Sequence, residues 1–303
     1  GRLFATPGLF AREKINRLGS VLMSSLYNLT NLDKELWPGI TKKDLVTYFL
    51  YVAPAMLEYV KDRPLSLVRA PDGVGGETFF QKNLPEHAPN QLRSWEYVRG
   101  KRSTRYLVLK SVEDFVYLGN QATIEIHSML STVQEVERPV EIAIDLDPRE
   151  GTEFLLVKQG ALLVKELLEQ LGLRSYPKFT GKKGIHVMIP IEPEYTYGEI
   201  APFLKALREL VVATYPELFT GHLRKEKRDA PIFLDIGQNG LEKTVIVPYS
   251  PRTVPEAKVA VISTWQDLER MVERPVFNVR EGFWPPLVKA PQIMQGLPVE
   301  AVR

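Results

Sequence analysis

The sequence contains no cysteine in 303 residues and only four histidines. Without thiols there is no disulfide framework, no thiolate metal site and no cysteine nucleophile, a composition suited to a reducing compartment. No run approaches the roughly 18 to 20 apolar residues that a membrane span requires. The opening residues, GRLFATPGLFAREKINRL, carry charges and no sustained apolar core, so neither a membrane partner nor a secretory signal is expected. Charge of one sign is also lacking. With 39 Lys+Arg against 37 Asp+Glu the net charge is +2, so any affinity for nucleic acid must come from local clustering. Hydrophobic residues at 44% and charged residues at 25% exclude disordered and fibrous classes. The length allows two compact domains, or one large domain with two layers of sheet. No internal repeat or low-complexity tract is visible.

Leu45, Phe49, Val52, Met56 and Val60 recur three or four residues apart, which predicts an amphipathic helix over 44–61 with Asp44 at its positive end. The stretch 160–172 is bounded by glycines and reads as a second helix, 199–215 as a third and 264–273 as a short fourth. Strand-like runs fall at 65–69, 105–109, 123–127, 140–147, 184–190, 231–236 and 244–248. Their mixture with helices predicts an α+β (mixed α/β) protein with a largely antiparallel central sheet flanked by helices. The basic, glycine-broken stretch from Arg99 to Arg105 reads as a loop projecting into solvent. Residues 1–28 read as an N-terminal extension with a possible helix near 20–26. Residues 29–290 form the body and 291–303 a C-terminal tail.

The most informative segment is EIAIDLDP, residues 141–148. In a strand, Ile142, Ile144 and Leu146 face one way while Asp145 and Asp147 face the other. Two carboxylates on one face of an apolar strand repel each other and lose hydration unless a cation compensates. A second apolar run, PIFLDIG, carries Asp235 near its end. If the two strands are neighbours, three carboxylates converge. Oxygen ligands without cysteine suit hard divalent ions, and two such ions about 4 Å apart serve in-line nucleotidyl transfer. An Asp-x-Asp pair is also shared with sugar transferases and phosphatases, and each aspartate taken alone is as readily a turn or strand-end residue.

The segment FTGKKGIHV, residues 179–187, places Thr180, two glycines and two lysines just before an apolar strand. Glycines let backbone amides approach phosphate oxygens and lysine supplies countercharge. The spacing is not that of a Walker A loop, and a plain surface hairpin fits the same residues. His127 at a strand end and His186 within a strand read first as structural.

Taken together, these segments resemble the polymerase domain of bacterial and archaeal ligase D-type end-joining systems, within the archaeo-eukaryotic primase superfamily. The matching pieces, in order, are LTNLDKELWP (29–38), TKKDL (41–45), RPLSLVR (63–69), PDG (71–73), FFQK (79–82), IEIH (124–127), IDLDP (144–148), TGKKGIHV (180–187), FLD (233–235) and PYSPR (248–252). The resemblance implies a primase-polymerase catalytic core and a nucleotidyltransferase of non-homologous end joining. It implies metal binding and catalysis by Asp145, Asp147 and Asp235, with two Mn²⁺ or Mg²⁺ ions and an NTP or dNTP substrate, ribonucleotides preferred. Thr180, Lys183, His127 and Arg252 match phosphate-contacting positions, and Arg69, alone where the family often has two adjacent basic residues, is expected with them among the nucleotide-binding residues. Lys34 and Lys42 match a pocket for the 5′-phosphate of a downstream strand. Phe79 and Phe80 match aromatics packed against the bent template, and Arg228 a basic residue near template and active site. Arg99, Lys101, Arg102 and Arg105 fall on a loop that helps bring DNA ends together.

By the same resemblance the partners are gapped or broken DNA with a 5′-phosphate, a Ku-like end-binding protein, a DNA ligase and a second copy in a DNA-mediated dimer. The location is the prokaryotic cytoplasm, associated with the nucleoid. Two departures stand out. Lys182 puts a side chain and a charge where the family usually has glycine, which bears on the loop's grip. The ligase and nuclease segments of many relatives are not in this sequence, so a standalone enzyme is the expected arrangement. The alternatives are a DNA-end bridging module with weak polymerase activity, a de novo primase and, more remotely, a metal-dependent sugar-nucleotide transferase.

Overall fold

The computed structural model describes residues 15–20 and 27–302, the first group being helical. Residues 21–26 of the helix expected near 20–26 lie outside the described residues. The chain divides into two compact units. One takes Gly1–Ser128, Ile246–Val261 and Val276–Ala290; the other takes Met129–Val245, Ile262–Pro275 and Pro291–Arg303.

In the first unit, β1 (Glu35–Trp37) pairs with β2 (Ile40–Thr41) and leads into helix α1 (Lys42–Val60). The helix starts slightly before the apolar periodicity because Thr41 and Asp44 form a reciprocal cap. The Asp44 N–H donates to Thr41 Oγ1 at 3.3 Å and the Thr41 N–H to Asp44 Oδ2 at 2.7 Å. Leu45, Phe49, Val52, Met56 and Val60 are all buried, as the spacing requires. Then follow β3 (Leu65–Arg69), β4 (Phe79–Gln81), β5 (Ser94–Arg99), β6 (Arg102–Leu107), helix α2 (Glu113–Asn120) and β7 (Thr123–Ser128).

The basic stretch expected as a loop is instead the end of the β5–β6 hairpin. Arg99 pairs with Arg102 across Gly100 and Lys101, and Gly100 adopts φ +62°, a conformation that tight hairpin turns demand and glycine tolerates. Its residues up to Ser103 are exposed, as expected; the error lay in equating charge with irregular backbone. Stacking of Trp95 on Tyr97 at 5.2 Å and on Tyr106 at 6.1 Å steadies the hairpin. Helix α2, which the periodicity does not show, is held at its start by the Asp114 carboxylate, which accepts from the Lys110 N–H at 2.8 Å and the Ser111 N–H at 3.1 Å. It packs on α1, with Phe115 against Phe49 at 6.1 Å.

The second unit contains β8 (Glu141–Pro148), α3 (Phe154–Gln170), β9 (Tyr176–Phe179), β10 (Ile185–Pro190), α4 (Tyr197–Thr214), β11 (Phe219–Thr220) and β12 (Ile232–Asp235). Two short strands, β13 (Val245–Ile246) and β14 (Val261–Ile262), and helix α5 (Trp265–Arg270) follow. One sheet runs β11-β12-β8-β10-β9-β14 and the other β13-β7-β3-β6-β5, with β4 also on β3. In the first of these, β10 is antiparallel to β8 and β9, and β12 to β8, while β11 and β12 are parallel. The expected antiparallel bias thus holds, spread over two sheets.

Helix α3 begins at Phe154 and not at Gly160 as the glycine boundary predicts. Gly160 lies inside the helix as a contact point. A Cβ there would stand 3.0 Å from Ile232 Cδ1, 3.1 Å from Phe219 Cζ and 3.3 Å from Leu146 Cδ2, so glycine lets the helix lie close on the sheet. In the C-terminal segment, Gln295 accepts from the Arg174 N–H at 2.9 Å and donates to the Arg174 and Pro190 carbonyls at 2.8 Å each, which ties this segment to the second unit. Among the described residues no helix is long and apolar enough to cross a membrane.

Gly119 generates a stability prediction. A Cβ there would meet Val46 Cγ2 at 2.6 Å and Val46 Cα at 3.2 Å. Gly119→Ala is expected to cost about 1–3 kcal/mol through overpacking, measured as a lower urea midpoint. Combined with Val46→Ala the penalties should fall short of additive, since the second change removes the clashing methyl.

Candidate functional site

The sheet of the second unit has two unlike faces. Ile142, Ile144 and Leu146 of β8, Ile185 and Val187 of β10 and Leu234 of β12 are buried; β8 and β10 pack with α3. The opposite face carries Asp145 and Asp147 of β8, with Asp235 of β12 paired in register to Asp145 and Phe233 to Asp147. On the other side, His186 of β10 pairs with Asp145, and Lys178 of β9 with His186. A row Asp235, Asp145, His186, Lys178 therefore crosses four neighbouring strands. Asn239 holds the turn after β12 against β8, its amide bonded to both the N–H and the C=O of Ala143 at 2.9 and 2.7 Å.

Each aspartate has a compensating donor. Asp147 Oδ2 lies 3.1 Å from Arg228 Nη1, and that guanidinium rests 4.2 Å from the centre of the Phe233 ring. Asp145 Oδ1 lies 3.5 Å from His186 Nε2. Asp235 accepts from the Gly237 N–H at 2.8 Å and from Gln238 Nε2 at 3.2 Å. The strands are neighbours, as the sequence reading required. The carboxylates do not stand as a ready-made cage, however: among the described residues no three Asp, Glu or His side chains converge closely enough to enclose a metal ion.

The loop joining β9 to β10 holds Thr180, Lys182 and Lys183. The Thr180 hydroxyl donates to the Gly184 carbonyl and accepts from the Lys182 N–H, both at 3.3 Å. Gly184 abuts the aspartates, since a Cβ on it would lie 3.1 Å from Asp145 Oδ1. Lys182 and Lys183 are exposed, with Lys183 Nζ 3.7 Å from Glu150 Oε1. Arg274 donates to the Lys183 carbonyl and reaches that of Gly184 at 3.5 Å. It also lies over the rings of Phe154 at 5.2 Å and Phe179 at 5.9 Å, and burial lowers its pKa from the ordinary guanidinium value. Sequence reading missed Arg274, which adjoins no recognisable motif, and Lys178, which directly precedes the FTGKKGIHV segment but was not counted with it.

Four further groupings occur in the first unit. His127 and Arg252 both bond the buried Glu125, another residue not singled out from sequence. Lys42 is buried, donates to the Thr30 carbonyl at 2.7 Å, and has its pKa lowered by burial first and then by the charges of Lys34 and Arg69. Lys34, Lys42 and Arg69 therefore form one cationic cluster, with Asp72 bound to Lys34 at 2.7 Å and Arg69 anchored on Gln121 and Gln81. Phe79 and Phe80 are 46% and 60% exposed, large apolar rings presented to solvent on a short strand. Lys101 and Arg102 project from the β5–β6 hairpin, and Arg105 turns back to Ser94 Oγ at 3.0 Å.

The family described as LigD, primase-polymerase domain, matches residues 41–283. A bifunctional non-homologous end joining protein LigD of Bacillus subtilis is 34% identical over 253 residues, 82% of this chain and 41% of that protein. A multifunctional counterpart from Mycolicibacterium smegmatis is 31% identical over 244 residues, 79% of this chain and 32% of its own length. This chain thus spans less than half of the curated relatives it matches. Among solved structures, the polymerase domain from Mycobacterium tuberculosis ligase D in complex with DNA superposes with a TM-score of 0.78 at 29% identity, covering 84% of this chain and 92% of that one.

The contacts of Arg274 generate a second prediction. Arg274→Ala removes the donor that ties down the Lys183 and Gly184 carbonyls and uncovers two aromatic rings. The expected loss is about 1–3 kcal/mol of stability, read from thermal denaturation. Amide exchange should quicken at residues 180–184 more than in α4.

Proposed function

This chain belongs to the LigD primase-polymerase domain family, and from that premise we propose that it is a template-dependent nucleotidyltransferase of DNA end joining. It extends a primer 3′-hydroxyl across short gaps and at synapsed broken ends. The observation that carries this reading is the register of the second unit's sheet: Asp235 pairs with Asp145, Asp147 lies two residues on, and the Thr180–Lys183 loop ends where Gly184 touches Asp145. A bridging module has no use for carboxylates clustered where phosphodiesters must approach.

In its chemistry the donor set suits hard divalent ions, Mn²⁺ or Mg²⁺, two per site, with the carboxylates turning inward to enclose them. It is all oxygen, on neighbouring strands, with Gly184 and Gly237 leaving space where Cβ atoms would stand 3.1 Å from Asp145 Oδ1 and Asp235 Oδ1. Asp145, Asp147 and Asp235 would hold the ions, which would supply Lewis-acid charge stabilisation for nucleotidyl transfer. Thr180 and Lys183 bind the triphosphate, Lys183 by charge and Thr180 through its hydroxyl, and His127 and Arg252 contribute phosphate contacts. Arg228 keeps Asp147 charge-compensated against the Phe233 ring.

Lys34 and Lys42 take the 5′-phosphate of the downstream strand, and Arg69 binds the nucleotide. Burial and two cationic neighbours disfavour the charged form of Lys42, and an arriving phosphate reverses that penalty. Phe79 and Phe80 stack on template bases, a use that suits exposed rings because every base offers a face. The hairpin residues Arg99, Lys101, Arg102 and Arg105 contact DNA ends and support a DNA-mediated dimer. A preference for ribonucleotides, a Ku-like end binder and a DNA ligase as partners follow from the family.

Extension of a labelled primer across a short gap with a downstream 5′-phosphate tests this reading. With Mn²⁺ and NTPs or dNTPs, wild type should extend, NTPs faster. Asp145→Ala/Asp147→Ala should lose about 100-fold or more. Removing the 5′-phosphate should weaken extension, and should add little to the loss in Lys34→Ala/Lys42→Ala. Retained DNA binding with no extension under either metal would leave a bridging module as the function.

A further inference from the structure

Glu125 is a buried acid in the middle of β7, 5% exposed, and a carboxylate in such a place is costly unless it is fully paired. Here it is. Its Oε2 lies 2.8 Å from His127 Nε2, and its Oε1 accepts from Arg252 Nε at 3.2 Å and from the N–H and hydroxyl of Thr253 at 2.9 Å each. Residues 125 and 127 share a face of the strand, so one acid reaches the imidazole two residues on and a guanidinium from the 246–253 segment. Burial alone raises the Glu125 pKa, but the His127 hydrogen bond, the Arg252 charge and the Thr253 N–H together hold it well below the ordinary carboxylate range.

An ionised carboxylate can only accept, so His127 Nε2 must carry the proton in that bond. A neutral ring would then present Nδ1 as a bare acceptor, which repels a phosphate oxygen. Only the imidazolium offers an N–H from Nδ1. The charged and polar groups set around this ring are Glu125 on its own strand, Ser66 opposite it on β3, and Arg252 from the 246–253 segment. Arg252 commits Nε to the same acid, which fixes the plane in which its Nη fork lies.

We propose that Glu125 is the positioning residue of the phosphate clamp: it holds His127 as a doubly protonated ring with Nδ1–H directed to the nucleotide's phosphates, and aligns Arg252 beside it. This deepens the function proposed above and rests on that reading's assignment of phosphate contacts to His127 and Arg252. Glu125 itself touches no substrate. Its effect is felt in ground-state nucleotide binding, so it acts on KM more than on kcat.

Gap-filling kinetics of wild type and Glu125→Gln, with binding of inorganic tripolyphosphate followed calorimetrically, test the proposal. Glu125→Gln should raise KM for the nucleotide about tenfold or more with kcat within about threefold, and weaken tripolyphosphate in parallel. In a His127→Ala/Arg252→Ala background the same change should leave KM unmoved. Unchanged KM and tripolyphosphate affinity in Glu125→Gln, with wild type active, would overturn the role of Glu125 alone. Wild type that neither extends primers nor binds tripolyphosphate would instead overturn the polymerase reading.

A measurement on wild type serves if Glu125→Gln does not fold. With only four histidines, ¹⁵N spectra of the imidazoles are tractable, His127 being assigned by its loss in His127→Ala. Both ring nitrogens of His127 should be protonated when tripolyphosphate is bound. A neutral ring in the bound state would refute the assignment.

Discussion

Two carboxylates two residues apart on a strand repel each other, and the strand that carries them must also bury its other side. Strand β8 meets both demands through alternation: Ile142, Ile144 and Leu146 are buried, while Asp145 and Asp147 face the other way. Much of the second unit answers to that division. Gly160 brings α3 close to the apolar side, and a larger residue there would press on Leu146 and Ile232. On the polar side, Arg228 and the donors around Asp235 offset the like charges. A one-residue slip of β8 would exchange the two sides, placing carboxylates under the helix. The burial of three aliphatic side chains, worth about 1.5–3 kcal/mol each, thus fixes where the acids point.

The first unit solves the converse problem of cations close together. Lys42 is buried beside Lys34 and Arg69, and the cluster is held by the Thr30 carbonyl, by Asp72 and by the amides of Gln81 and Gln121. Asp72 offsets one of the three charges, while the carbonyl and amides offset none, so the cluster keeps a positive surplus. Glu125 is the opposite case, a buried acid satisfied by the Arg252 guanidinium, the His127 ring and Thr253. With a net charge of only +2, the chain concentrates its positive potential at such points.

What could be read from the sequence follows from range. The period-2 pattern of EIAIDLDP gave both faces of β8, and the spacing of Leu45 to Val60 gave α1, because each signal lies within one element. The loop before β10 was legible from its glycines and lysines. Helix α2 was not, since its two turns are too short for periodicity and its capping acid, Asp114, lies within the helix. The hairpin at Gly100 was misread because charge was taken as a sign of irregular backbone. Arg274 and Glu125 were invisible for another reason. Arg274 bonds a loop 90 residues earlier in sequence and Glu125 pairs with a residue 127 positions later, and no local pattern marks either. Residues that hold others in place are found only once the partners are seen together.

The same distinction explains the departure at Lys182. In the loop from Thr180 to Gly184, two positions exclude a side chain, for different reasons. Gly181 adopts φ +78°, which L-residues rarely tolerate. At Gly184 a Cβ would crowd Asp145 Oδ1 and the Leu146 carbonyl, at 3.1 and 3.2 Å. Residue 182 meets neither constraint: its backbone is not left-handed, its side chain is exposed, and its N–H serves the loop by donating to Thr180 Oγ1. Glycine at that position is therefore not demanded by the turn. Lysine adds a charge beside Lys183 at no steric cost and leaves the loop's shape intact.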